Sequence, residues 1–179
     1  MSHRLTARRS DDRDLVAFLG GLSLFLSTVE YLVPKPVPFL RIGIANLPLL
    51  VGLGLLAPGE LLLVATLKVL GQALVSGTLV TYVFLFSAAG TFSSALVMLA
   101  VRGIAGPRMS LVGVSVIGAL FSNLAQIGLA IGMDLLGRGA WVIAPPFIAA
   151  GTVTSVLLGL FAERFRRSSR WLASMRGAA

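Results

Sequence analysis

Lys68, Gln72 and Ser76 recur every fourth residue within the apolar run 60–77, a spacing that stacks three polar side chains on one face of a helix. A lysine in the middle of such a run is expensive, about 2.5–3.5 kcal/mol at the centre of a membrane helix. Ionisable residues inside a bilayer mark solute paths by default, and an ammonium beside a carboxamide and a hydroxyl suits a polar or anionic solute. The competing reading is structural, with Lys68 snorkelling or pairing with an acidic side chain, including one from a partner protein. Two other runs repeat the pattern. Ser23, Ser27, Glu30 and Tyr31 fall on one face of the run 14–33. Ser115, Ser122 and Gln126 share a face of the run 110–136, with Asn123 beside it. Lone serines often bond back to their own helix, whereas two carboxamides in one span require a ligand or a neighbouring helix to satisfy them.

The segment Arg41-Ile42-Gly43-Ile44-Ala45-Asn46-Leu47-Pro48 sets a cation and an amide just before a proline. Where such a chain re-enters a membrane, Arg41, Asn46 and backbone groups loosened by the proline are available to an anionic or polar ligand. The plainer reading is an interfacial anchor. Ala17 and Gly21, spaced i, i+4 with Gly20 adjacent, permit close helix approach, either inside the bundle or by a partner helix. Asp134 and Arg138 read as a local surface pair.

Enzyme signatures are missing from the sequence: it has no phosphate loop, HExxH, nucleophile elbow or Cys/His cluster. The chain has no cysteine, and its single histidine, His3, sits in a polar head. Asp11-Asp12-Arg13-Asp14 in the same head is a solvated charge run. No catalytic residue, cofactor or metal site is expected, and the chain reads as a non-enzyme.

The elements that position these residues follow from composition. Of 179 residues, 56% are hydrophobic and 12% charged, with a mean hydropathy of +0.93; soluble domains carry roughly 25% charge. Apolar runs at about 14–33, 43–57, 60–77, 79–101, 110–136 and 141–162 predict six crossings of about 20 residues each. The first run has no signal-peptide cleavage pattern and is expected to be retained. Pro34, Pro36 and Pro38, Ala57-Pro58-Gly59, Ser76-Gly77-Thr78, Gly103 to Pro107 and Gly137 to Gly139 supply the breaks. Ser76-Gly77-Thr78 is the weakest, leaving one long bent helix as an alternative. Glu60 suits the positive N-terminal end of its helix. With the N-terminus cytoplasmic, six spans place eleven of the fifteen Lys and Arg residues inside and three, Lys35, Arg41 and Arg138, outside. The net charge of +8 then faces anionic lipid rather than nucleic acid. The expectation is an all-α integral membrane protein of a bacterial inner membrane, a compact six-helix bundle with both termini cytoplasmic. Basic tails, mobile at the N-terminus, occupy 1–13 and 166–179, flanking a membrane domain at 14–165.

RIGIANLP (41–48), LKVLGQALVSGT (67–78) and GVSVIGALFSNLAQ (113–126) together resemble the Gx transporter family, often labelled heptaprenyl diphosphate synthase component I. That family in turn resembles the substrate-binding S components of energy-coupling factor (ECF) importers. The likeness covers roughly 14–165 with the order of segments preserved. Asn123 and Gln126 match the family pattern; Ser122 stands where histidine is usual, and Lys68 where arginine is common. The resemblance implies capture of a vitamin-like or anionic solute at the outer side. Glu30, Arg41, Asn46, Lys68, Gln72, Asn123 and Gln126 would form the site. It also implies docking to a transmembrane T subunit and ATPase subunits, with Ala17, Gly21 and Gly71 as the small-residue contact. The alternative is an accessory subunit for polyprenyl diphosphate or quinone synthesis.

Overall fold

The computed structural model describes residues 2–32, 43–135 and 137–169, with side chains from Arg13 onward except at 107, 138 and 140. Its described residues form six α-helices: α1 (Ser2–Leu32), α2 (Leu47–Gly52), α3 (Pro58–Val75), α4 (Tyr82–Ala105), α5 (Leu111–Gly132) and α6 (Ala140–Ser168). Five of them, all but α2, are long and apolar enough to cross a membrane. The turn expected at Pro34, Pro36 and Pro38 lies outside the described residues, as do Lys35, Arg41 and the tail beyond 169.

Helix ends have local causes. Pro58 opens α3 where its missing N–H costs nothing, and the Glu60 carboxylate accepts from the Ala57 N–H at 2.9 Å. Ser110 caps α5 by accepting from the Gly113 N–H at 3.1 Å. The weak break at Ser76-Gly77-Thr78 does end a helix. Gly77 turns left-handed (φ 64°), Thr78 N–H reaches Ala73 O and Gly77 N–H reaches Leu74 O, a Schellman closure. α5 closes in the same way, with Asp134 (φ 52°) where glycine is usual. Asp134 therefore lies in a turn and not on a helical face with Arg138. The head expected to be mobile is helical from Ser2 onward; no glycine or proline interrupts residues 2–19.

Side-chain pairings give the direction of each element. Gly20 faces Leu67 and Gly71 faces Leu24, so α1 and α3 run parallel. Lys68 meets Thr91 and Gln72 meets Ser87, so α3 and α4 are antiparallel. Gly90 packs on Ser122 and Gln126, and Gly118 on Met98, so α4 and α5 are antiparallel; Gly151 on Asn123 and Gly159 on Val112 give the same for α5 and α6. Parallel α1 and α3 require the chain between them to return through the bundle. It does so along 43–56: Gly43 bonds Glu30, near the end of α1, and Gly52 packs on Leu19, three turns back.

That return differs from the long helix expected at 43–57. Gly43 (φ 95°) precedes a 3-10 turn, Ile44–Asn46; α2 has six residues, and Leu53 to Leu56 form a tight loop with Gly54 at φ 78°. Every residue from Pro48 to Leu53 is buried. A segment enclosed on all sides by protein need not satisfy its backbone as a lipid-facing helix must, so it passes through the bundle in short irregular pieces.

At the arginine-bearing end the packing is dense. Leu15, Leu19, Leu49, Leu53, Leu61, Val64, Met98, Leu111 and Ala162 belong to one apolar core drawn from all six helices. Arg166 donates to Leu53 O at 3.0 Å, Arg102 to the carbonyls of Gly106 and Met109, and Glu163 accepts from the Leu111 N–H. The far end has a smaller cluster around Phe86 and Ala130. There no side chain of α6 from Trp141 to Ala150 that is described is fully buried, and Pro145 and Pro146 interrupt the helix's hydrogen bonding.

Candidate functional site

Among the described residues, the two buried charges, Glu30 and Lys68, both act on the returning segment. Glu30 is 1% exposed, and its two carboxylate oxygens accept from the Gly43 N–H (2.9 Å) and the Ala45 N–H (3.1 Å). Gly43's left-handed backbone turns the chain so that both N–H groups reach one carboxylate. Lys68, 3% exposed, donates to Asn46 Oδ1 at 2.5 Å and to Thr91 Oγ1 at 2.9 Å. The backbone donors expected to meet a ligand at this entry are therefore occupied by an internal carboxylate. Lys68 likewise reaches the segment through Asn46.

The polar faces of α3, α4 and α5 meet beside this turn. Ser87 donates to Gln72 Oε1 at 3.3 Å, and Gln72 Nε2 donates to Ser76 Oγ at 3.5 Å. Gln126 Nε2 donates to the carbonyl and hydroxyl of Ser122, each at 3.3 Å. The pair fits only because Gly90 leaves room: a Cβ there would lie 2.8 Å from Gln126 Nε2 and 2.9 Å from Ser122 Oγ. Asn123 enters a notch left by Gly151 on α6. Its Nδ2 is buried without a protein partner, and the same holds for Ser23 Oγ and Ser27 Oγ on α1. Buried polar atoms normally have partners; of these three exceptions, Asn123 borders a further feature of the interior.

That feature is a pair of adjoining cavities. The larger, about 370 Å³ counting its mouth, lies between the returning segment, α4, α5 and α6, and is lined by Asn46, Ser94, Ser115, Ser122, Asn123 and Ser155 with Leu47, Leu50, Met98 and Leu158. The smaller, about 220 Å³, is lined by Glu30, Asn46, Lys68, Phe86, Ser87, Thr91, Ser122 and Gln126. Gly43, Asn46 and Ser122 border both.

Six of the seven residues expected at a solute site are thus brought to one region: Glu30, Asn46, Lys68, Gln72, Asn123 and Gln126. Asn46, half-buried, joins the other five, which are buried. Arg41 lies outside the described residues. Tyr31 turns outward and is exposed, away from Ser23, Ser27 and Glu30. Ala17 and Gly21 are exposed on α1, and nothing approaches Gly21; Gly71 lies in the α1–α3 seam against Leu24. Ser87, Thr91 and Ser94 on α4 and Ser155 on α6 belong to the polar interior but were not singled out from the sequence. Their i, i+4, i+7 spacing on α4 is the same signal that marked α3. Among the described residues no three His, Cys, Asp or Glu side chains are grouped to hold a metal ion.

A helical bundle with five membrane-length apolar helices around buried charges and carboxamides defines a multi-pass membrane protein with a polar interior site. The family model described as heptaprenyl diphosphate synthase component I matches residues 19–165, and the chain belongs to that family. Comparison with curated proteins and with solved structures finds no significant match.

Proposed function

We propose that this protein is the solute-binding component of an ECF-type importer in a bacterial inner membrane, a role without catalysis of its own. The observation that supports this most directly is the convergence of polar side chains from α1, α3, α4, α5, α6 and the returning segment on two adjoining cavities. Intramembrane polar residues are costly and are retained where a solute or ion is handled. Counting the buried return as a crossing, the chain passes through the bundle six times. The start of α1 and the end of α6 then lie at the arginine-bearing end, which the positive-inside rule assigns to the cytoplasm. The cavities would fill from the outer side. Energy would come from partner ATPases through a membrane T subunit, for which exposed Ala17 and Gly21 offer a close-packing surface.

Native mass spectrometry of the gently purified protein tests the reading. A co-purifying small molecule, lost in the Lys68→Met/Asn123→Ala double variant, is the expected result; retention of the ligand by that variant defeats it. A second reading, a membrane accessory subunit of polyprenyl diphosphate synthesis, is favoured by the family's description. It predicts recovery of a soluble prenyl synthase with the protein and no small-molecule ligand.

A further inference from the structure

We infer that the solute taken by the larger cavity is uncharged at neutral pH, a small molecule bearing amide, ureido or hydroxyl groups and not a carboxylate or phosphate. The inference rests on the solute-binding reading and departs from the anionic ligand that Arg41 and Lys68 imply when read from the sequence.

Three observations carry it. The first is the state of the two buried charges. Lys68 has two of its three donors on Asn46 and Thr91, and Glu30 uses both oxygens on backbone N–H groups. Both line the smaller cavity, so an anion drawn to the ammonium would also meet a carboxylate. Second, the polar lining of the larger cavity consists of neutral groups among the described residues: Asn46, Ser94, Ser115, Ser122, Asn123 and Ser155. Hydroxyls and carboxamides both donate and accept, which matches a neutral polar solute group by group. Asn123 lines this cavity, and its Nδ2 has no acceptor within the protein. Third, backbone N–H groups are the usual means of holding an anion without a cation. Gly43, at the cavity's edge, and Ala45, two residues on, already give theirs to Glu30. A carboxylate or phosphate entering here would lose its water with no countercharge among the described residues that line the larger cavity.

The test uses the full-length protein in nanodiscs and matched probe pairs: nicotinamide with nicotinate, pantothenol with pantothenate, and thymidine with thymidine monophosphate. Saturable rises in Tm are followed, and any co-purified molecule is identified by mass spectrometry. At least one uncharged member is expected to half-saturate at a concentration tenfold or more below its anionic partner, and Asn123→Ala to raise that concentration at least tenfold. Equal or tighter binding of the anionic member, or a co-purified anion, overturns the inference and leaves the solute-binding reading standing. A half-saturation unchanged by Asn123→Ala overturns the assignment to this cavity. If no probe binds, an uncharged co-purified molecule supports the inference; its absence as well overturns the solute-binding reading and the inference with it.

Discussion

The arginine-bearing half of the bundle and the far half are built on opposite principles. The first packs sixteen buried apolar residues from all six helices into one core, with its arginines bonded to loop carbonyls. The second has two buried apolar residues in its cluster, the smaller cavity, buried charges and an α6 segment that is broken by prolines and lacks a fully buried described side chain; the larger cavity lies between the two halves, with Leu50 and Met98 of the core in its wall. Packing energy is thus concentrated in one half, while the other keeps polar groups whose partners are incomplete. A membrane protein that admits a solute needs such a division, because a fully packed interior has no room for one and an unpacked interior has no fixed shape.

Substitutions at four positions test the contrast between the two halves. The largest effect is expected in the packed half: Leu49→Ala, at a fully buried position, should cost about 2–5 kcal/mol in denaturant unfolding of the reconstituted protein. Solute affinity of the folded fraction should not change. A smaller loss would mean that the core is less tightly packed than its burial indicates. Of comparable size is Glu30→Ala, which strips the Gly43 and Ala45 N–H groups of their acceptor. Each orphaned donor should cost about 1–3 kcal/mol. Glu30→Gln, which keeps one acceptor oxygen, should recover part of the loss, and failure to do so would show that the carboxylate's charge and not its geometry holds the turn.

Asn123→Ala should reverse the balance seen at Leu49. Its Nδ2 has no protein partner to lose, so stability should fall by about 1 kcal/mol or less, while binding of the co-purifying solute collapses. Loss of stability without loss of binding would place Asn123 with the structural residues. The smallest effect should come from Asp134→Gly at the end of α5. Relief of the left-handed strain should raise stability by about 0.5–1 kcal/mol with binding unchanged. A decrease would show that the Asp134 side chain, near Gly137, contributes more than its backbone costs.

Much of the candidate site was legible because polar residues inside apolar runs have few explanations. Lys68 and Gln72 on one face of α3 and Asn123 and Gln126 on α5 stood out by spacing alone. Ser87, Thr91 and Ser94 were overlooked because hydroxyls are cheap enough in a helix to pass individually, and so was Ser155, which sits beside Thr152 and Thr154 and like them bonds back to its own helix. Tyr31 was grouped with Glu30 by spacing, yet one residue of helical rotation carries it to the surface. The role of Gly71 was ambiguous for a related reason. Small-residue spacing shows that something approaches closely, but only the fold shows Leu24 there.

By itself, the sequence determined the solvent and the inventory of elements. With so little charge and such long apolar runs the chain must bury its helices in lipid, and glycine and proline mark where those helices stop because their backbone requirements are local. The tertiary structure decided what no local rule contains. The parallel arrangement of α1 and α3 forces the second apolar run back through the interior, where protein contacts let it exist as a turn and a short helix. Packing also decided that Glu30 and Lys68 hold that segment in place, leaving neutral hydroxyls and carboxamides to line the larger cavity. Partners separated by thirteen to twenty-three residues are chosen by the fold, because spacing along a helix specifies which face a side chain occupies and not what lies opposite it.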